Sequence, residues 1–267
     1  MLMEIKPSKK AALPVLALLA AACLLAGPAT AQEVFVRVIN PKAQELLTQS
    51  AATYGALQSY SCRVQTELKM DSVPGSRIIK LDLTFQKPDR AAVAMTEDDE
   101  TRQFFTNGRS LYVYSADKKE YMQVALPPNV PPTAPVLTQG QSFIGLVLMK
   151  PSSLGVLAAR GNALSLTLGP PRTLDGAEVR TVTRVVPGGV DGGRLTFSLT
   201  IGTKDHLIHR FTSLIVSPKP LPMGASEGDV RRIDNSEIYT DLRVDPALSA
   251  ASFLPPPDAK KVAPDPH

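Results

Sequence analysis

At 267 residues, with 43% hydrophobic, 20% charged and 5% aromatic residues and no tryptophan, the chain has a globular composition, which excludes wholesale disorder. Two cysteines exclude a disulfide framework and a four-cysteine zinc site, and three histidines leave little for metal or proton chemistry. The formal net charge of +4 belongs partly to the first residues; beyond residue 31 the chain holds 26 basic and 24 acidic residues, too even a balance to suggest nucleic-acid binding.

Residues 1–31 read as a secretory signal peptide. Lys6, Lys9 and Lys10 precede an apolar run from Ala11 to Gly27, and Ala29-Thr30-Ala31 forms a small-x-small cleavage site that predicts Gln32 as the mature N-terminus. The run is shorter than the roughly 20 residues that span a bilayer. The alternative is lipoprotein processing and tethering at Cys23, after Leu19-Ala20-Ala21-Ala22. Removal of the leader leaves Cys62 alone, which forbids an internal disulfide even in an oxidising compartment.

Asn40 and Pro41 open a helical pattern, a capping residue followed by proline at the first helical position. Ala43, Leu46, Leu47, Ala51 and Tyr54 fall at helical spacing, with Leu57 a turn further and Gly55 and Ser59 near the end. The period then becomes two. Ser61–Met70 reads as a strand, with a turn at Val73–Ser76 around Pro74-Gly75. Ile79, Leu81, Leu83 and Phe85 then alternate with Lys80, Asp82, Thr84 and Gln86. Further strands are expected at Ala91–Thr96, Arg102–Thr106, Ser110–Ser115 and Glu120–Ala125, with a tight hairpin at Asn107-Gly108.

Pro127–Pro135 holds five prolines and reads as a loop. Phe143–Met149 and Leu154–Ala159 read as short apolar helices separated by Pro151. Strands resume at Ala163–Leu168, Glu178–Val186, Arg194–Thr203, His206–Val216 and Asp229–Val244. Among them Leu195, Phe197, Leu199 and Ile201 alternate with polar residues. Residues 255–267 read as a flexible proline-rich tail. The fold class is mainly β: an antiparallel sheet with one covered face, an N-terminal helix and a central helical insertion.

No nucleophile elbow, phosphate loop or zincin motif occurs. His206 and His209 are three apart on an expected strand and so point to opposite faces. Glu97-Asp98-Asp99-Glu100 lacks the spaced ligands of a calcium loop and reads as a solvated hairpin turn. Cys62 reads as a buried structural thiol. No catalytic residue, metal site or cofactor is expected. A large curved sheet with one apolar face either fills its concave side with side chains or leaves a cavity for an apolar ligand; the pattern leaves both open.

Four stretches occur in an order that resembles the periplasmic lipoprotein-carrier superfamily (LolA/LolB-like), in its branch of predicted periplasmic proteins of unknown function. They are Leu46-Leu47 through Leu57-Gln58-Ser59-Tyr60-Ser61, the strand Leu83-Thr84-Phe85-Gln86-Lys87-Pro88-Asp89-Arg90, the hairpin Phe105-Thr106-Asn107-Gly108-Arg109-Ser110-Leu111-Tyr112-Val113-Tyr114, and the ending Ala251-Ser252-Phe253-Leu254-Pro255-Pro256.

The resemblance implies an unclosed antiparallel half-barrel over residues 32–254, with short helices as a lid over the concave face and acyl chains of a lipid or lipoprotein as cargo. On that fold Ile79, Leu81, Leu83, Phe85, Leu195, Phe197 and Leu199 are the expected lipid-binding residues, and Phe143, Ile144, Leu146, Val147 and Met149 the lid. Lys87 stands where the family places a lid-locking arginine, and lysine cannot make the same forked contact. The expected protein is a periplasmic monomer and not an enzyme. Acyl chains, and envelope membrane proteins, are its expected partners, and nucleic acid is not. The competing reading is an envelope sensory or protein-interaction domain of the same fold without cargo.

Overall fold

The computed structural model describes residues 38–139, 141–159, 161, 163–188, 192–221 and 230–263; the expected signal peptide, Cys23 and Gln32 lie outside the described residues. Strand β1 (Val38–Ile39) leads into helix α1 (Pro41–Ala56). Asn40 caps that helix, its Oδ1 accepting from the amides of Lys42 at 2.9 Å and Ala43 at 3.3 Å. Six strands follow as a meander: β2 (Ser59–Met70), β3 (Val73–Gln86), β4 (Arg90–Glu97), β5 (Glu100–Asn107), β6 (Ser110–Ser115) and β7 (Glu120–Ala125). Three short helices interrupt it, α2 (Ala134–Leu137), α3 (Phe143–Met149) and α4 (Ser152–Ala158). The second set of strands is β8 (Ser165–Leu168), β9 (Arg172–Leu174), β10 (Ala177–Pro187), β11 (Arg194–Gly202), β12 (Ile208–Val216) and β13 (Arg232–Val244). A 3-10 turn at Ala250–Phe253 and strand β14 (Lys260–Lys261) close the described chain.

All strands belong to one 14-stranded sheet of order β1-β8-β10-β11-β12-β13-β2-β3-β4-β5-β6-β7-β14, with β9 beside β10. The ladder between β13 and β2, from Ile233 opposite Met70 to Val244 opposite Tyr60, joins the two meanders into this one sheet. The path has two ends, β1 and β14, so the sheet is unclosed. It departs from pure antiparallel pairing at those ends, where β1 runs parallel to β8 and β14 parallel to β7. Both parallel additions are two residues long and come from segments that approach the edge after a long excursion, where no tight hairpin dictates direction.

Several local expectations shift. Pro74-Gly75 is not the β2–β3 turn: Met70 pairs with Val73 across Asp71 and Ser72, while Leu68 pairs with Arg77. The extra residues of β3 form a bulge at Pro74–Ser76, where Gly75 takes φ +85°. A proline lacking its N–H and a glycine at positive φ suit a bulge as well as a turn, so the dipeptide did not discriminate. The Asn107-Gly108 hairpin is as expected. Gly108 has φ +90°, a Cβ there would collide with the Asp89 carboxylate, and Asn107 Oδ1 accepts from the amides of Arg109 and Ser110. Asp98 and Asp99 adopt positive φ in the β4–β5 turn, the solvated hairpin read from sequence. His206 precedes β12 rather than starting it, and His209 pairs with Asp205 at 3.3 Å.

The C-terminal segment is more engaged than its composition suggests. Phe253 is fully buried where the 3-10 turn packs on β4 and β5. Ala259 joins an aromatic cluster of Phe105, Tyr112, Tyr114 and Tyr121 on the face opposite the main core. Lys260 and Lys261 then pair with Glu120 and Tyr121. An open sheet edge supplies unpaired N–H and C=O groups, and even a polar segment can satisfy them.

Candidate functional site: a helix-covered sheet face

Alternation puts one apolar row per strand on the same face. Ile79, Leu81, Leu83 and Phe85 of β3 are buried, as are Leu195, Phe197, Leu199 and Ile201 of β11. All belong to a single cluster with Tyr60, Cys62, Val64 and Leu68 of β2, Val93 of β4 and Phe104 of β5. The structure therefore places the seven expected lipid-binding residues on one continuous inner face, although β3 and β11 are separated by β2, β13 and β12.

The same cluster contains the helices. Of the expected lid residues, Phe143, Ile144 and Val147 are buried, while Leu146 and Met149 are half-buried; Leu148, not singled out from the sequence, is buried as well. Phe143 stacks face to face on Phe211 of β12, ring centroids 4.1 Å apart and planes 6° from parallel, and Phe211 lies 6.2 Å from Phe197. Val136 and Leu137 of α2, Leu154 and Leu157 of α4, and Leu46, Leu47 and Tyr54 of α1 complete the cover. Tyr54 Oη also accepts from the amide of Ile208. Towards β7 the cover thins: Leu111, Val113 and Met122 are half-buried and Val124 is 36% exposed.

Two charged residues on the inner face hold the α3–α4 unit. The Arg184 guanidinium of β10, 5% exposed, donates to the carbonyls of Val156 at 3.0 Å, Ala159 at 2.7 Å and Leu157, at the C-terminal end of α4. Glu237 of β13, fully buried, accepts from the Ser142 hydroxyl at 2.6 Å and the Phe143 amide at 3.0 Å. Tyr239 Oη donates to the same carboxylate at 2.7 Å and Asn235 Nδ2 at 3.5 Å. Helices α3 and α4 are thus attached to the sheet by apolar contact and a few polar bonds, without strand pairing.

Lys87 plays a different part from the one the resemblance implied. Its ammonium donates to the carbonyl of Gly55 at 2.6 Å, in the last turn of α1. It therefore ties the N-terminal helix to the β3 end rather than fastening α3 or α4. Arg184, from another strand, makes the contact to the α4 carbonyls, through its Nη1.

Arg184 and Glu237 are the site residues that sequence reasoning missed. Arg184 had a signal: it occupies the inward slot of Val182-x-Arg184-x-Val186, a charge in an apolar row. Glu237 had little, because both faces of β13 are polar there, with Asn235, Glu237 and Tyr239 inward and Asp234, Ser236 and Thr240 outward.

Burial raises the Glu237 carboxyl above the ordinary glutamate range, and its hydrogen-bond donors pull the other way without cancelling the effect. A carboxyl whose folded pKa lies above its unfolded value contributes most below the unfolded value, and the contribution fades as pH rises through the folded pKa. Wild-type stability should therefore fall relative to Glu237→Gln as pH rises from the ordinary glutamate range upward, read as the difference in urea midpoints across pH. A constant difference would mean that Glu237 titrates normally. Cys62 is buried and its thiol is pushed up to about 12 by burial, so it stays protonated and packs as a small hydrophobe. Among the described residues no cluster of three or more His, Cys, Asp or Glu could hold a metal ion, and no helix is long and apolar enough to cross a membrane.

An unclosed, mainly β sheet with one apolar face under short helices is the class of fold to which the ordered motifs pointed. Residues 43–143, which include three of the four motif stretches, match the model of a family described as "Predicted periplasmic protein (DUF2092)". That description names the branch read from the sequence and the compartment that the leader pattern implied. No curated protein matches the chain. Among solved structures the chain is similar to the lipoprotein LppX of Mycobacterium tuberculosis, at 15% identity over 79% of this chain and 99% of that one, with a TM-score of 0.46. It is similar to LprF of Mycobacterium bovis at 16% identity over 82% and 98%, TM-score 0.46. A LolA superfamily protein of Nitrosomonas europaea matches at 10% identity over 79% and 97%, TM-score 0.33.

Proposed function

We propose that the protein is a periplasmic carrier that holds the acyl chains of a lipid or lipoprotein against the inner face of its sheet, by binding and without catalysis. The observation that supports this reading most is the construction of the cover. Beside α1, the main apolar cluster among the described residues is covered by three short helices that share no ladder with the sheet, so they can lift without breaking it. Burial of an acyl chain stabilises by roughly 0.8 kcal/mol per methylene, which is enough to drive loading without chemistry. The thinly covered apolar positions of β6 and β7 offer the route by which a chain would enter. Ile79, Leu81, Leu83, Phe85, Leu195, Phe197 and Leu199 would then line the cargo, and Phe143, Ile144, Leu146, Val147 and Met149 would close over it.

One observation favours the second reading, an envelope interaction domain without cargo. With the helices seated, the inner face is filled: its β3 and β11 side chains are 9% exposed or less. Native mass spectrometry of protein purified from its own envelope separates the two. Co-purified acyl lipid is the result expected of a carrier. A bare chain that also fails to bind an apolar dye such as N-phenylnaphthylamine would favour the interaction domain.

A further inference from the structure

The inner face is not uniformly apolar. Glu237 lies in its middle, between Phe211 of β12 and Thr66 of β2, its neighbours in register. Two of the donors that satisfy its carboxylate, Ser142 Oγ and Phe143 N, belong to the lid. A lid that lifts takes both away and leaves Tyr239 at 2.7 Å and the longer Asn235 contact at 3.5 Å. A buried carboxylate stripped of donors is costly, so the open state must supply replacements. The adjacent hydroxyl points the same way. Thr66 Oγ1 is buried and has no hydrogen-bond partner among the described residues, although a buried hydroxyl normally has one.

Resting on the carrier reading, we propose that Glu237 and Thr66 seat the head of the cargo, which is therefore a lipid whose head donates hydrogen bonds, a hydroxyl or an amine, and not a bare carboxylate. In the closed protein the Ser142 hydroxyl and the Phe143 amide occupy the place of that head. On loading, the head takes over their bonds while the chain lies along the apolar rows of β2 and β3. Exchange of one donor set for another lowers the cost of lid opening for the right cargo alone. A fatty-acid carboxylate brings a second acceptor to a site whose remaining donors, Tyr239, Asn235 and the Thr66 hydroxyl, are too few for two carboxylates.

The test uses three probes of equal chain length, dodecanol, dodecylamine and laurate, each competing with N-phenylnaphthylamine for the purified protein near neutral pH. Dodecanol or dodecylamine should displace the dye at concentrations at least about tenfold lower than laurate, as expected when a charge-assisted hydrogen bond is gained. The order of those two distinguishes a neutral from a cationic head. In Glu237→Gln the preference over laurate should shrink to within a few-fold. Thr66→Val, which keeps the shape and removes only the unpartnered hydroxyl, should weaken the alcohol or amine several-fold while the thermal midpoint of the free protein holds or rises. A structural role for Thr66 would lower that midpoint instead. Thr66→Val also carries the test if Glu237→Gln fails to fold. Equal displacement by all three probes, or a preference unchanged in folded Glu237→Gln, overturns the head site and leaves the carrier standing. Failure of every probe and of the dye to bind overturns both.

Discussion

Replacing Arg184 by leucine should destabilise the protein by about 2–4 kcal/mol and loosen α3 and α4 before the rest of the chain. The guanidinium satisfies three carbonyls at the end of α4 from a position 5% exposed. Leaving a buried acceptor unpaired costs about 1–3 kcal/mol each. Removal of the charge also relieves the desolvation of the guanidinium, which keeps the net loss below the sum of three acceptors. Urea denaturation measures the total, and amide hydrogen exchange at residues 143–158 locates it. A loss under about 1 kcal/mol, with unchanged exchange there, would mean that α4 is held by apolar packing alone. Arg184→Lys should recover part of the stability, because the ammonium keeps the charge and three N–H donors but ends one bond short of the Nη1 that reaches the three carbonyls.

Leu83→Ala is expected to cost a full core-sized ~2–5 kcal/mol in the ligand-free protein. Were the concave side a cavity, one of the two arrangements the sequence left open, Leu83→Ala would cost less than that. The structure changes the expectation: Leu83 is 2% exposed, with Cys62 and Val93 opposite it on the same face and the helices above. On the carrier reading a void exists only once the helices lift, so the cost belongs to the closed state. A saturating acyl ligand should then stabilise the protein by mass action, by about 2.7 kcal/mol at a hundred times its Kd, and more so if the truncation is partly filled by ligand. Urea midpoints with and without dodecanol measure both effects. A cost below about 1 kcal/mol in the free protein would mean that the helices do not fill the inner face.

The two substitutions probe different layers of one arrangement. Arg184 fastens a helix to the sheet, whereas Leu83 belongs to the surface beneath. Their effects should add, since β10 and β3 are separated in the sheet by β11, β12, β13 and β2. Together with the pH dependence of Glu237, they separate attachment of the cover, packing under it, and charge buried at its edge.

Much of this fold was legible in the chain itself. The period-two rows of β3 and β11, the helix cap at Asn40, the Asn107-Gly108 hairpin and the apolar segment Phe143–Met149 are local patterns, and the backbone obeys them because side-chain direction follows secondary structure. Those patterns also gave the identity of the rows that meet, because each strand has one apolar face to hide. What they could not give is distance across the sheet. The pairing of β13 with β2, which brings Glu237 beside Thr66, joins residues about 170 positions apart in sequence, and the two faces of β13 are too alike in polarity to announce which is buried. The roles of Arg184 and Lys87 were likewise decided by tertiary placement. A long cation satisfies whichever helix end lies within its reach, and only the packing of α1 and α4 sets which end that is. The pairing of Lys260-Lys261 with β7 followed the same rule: unpaired backbone groups on an edge strand selected the conformation, and no local propensity in those residues specified it.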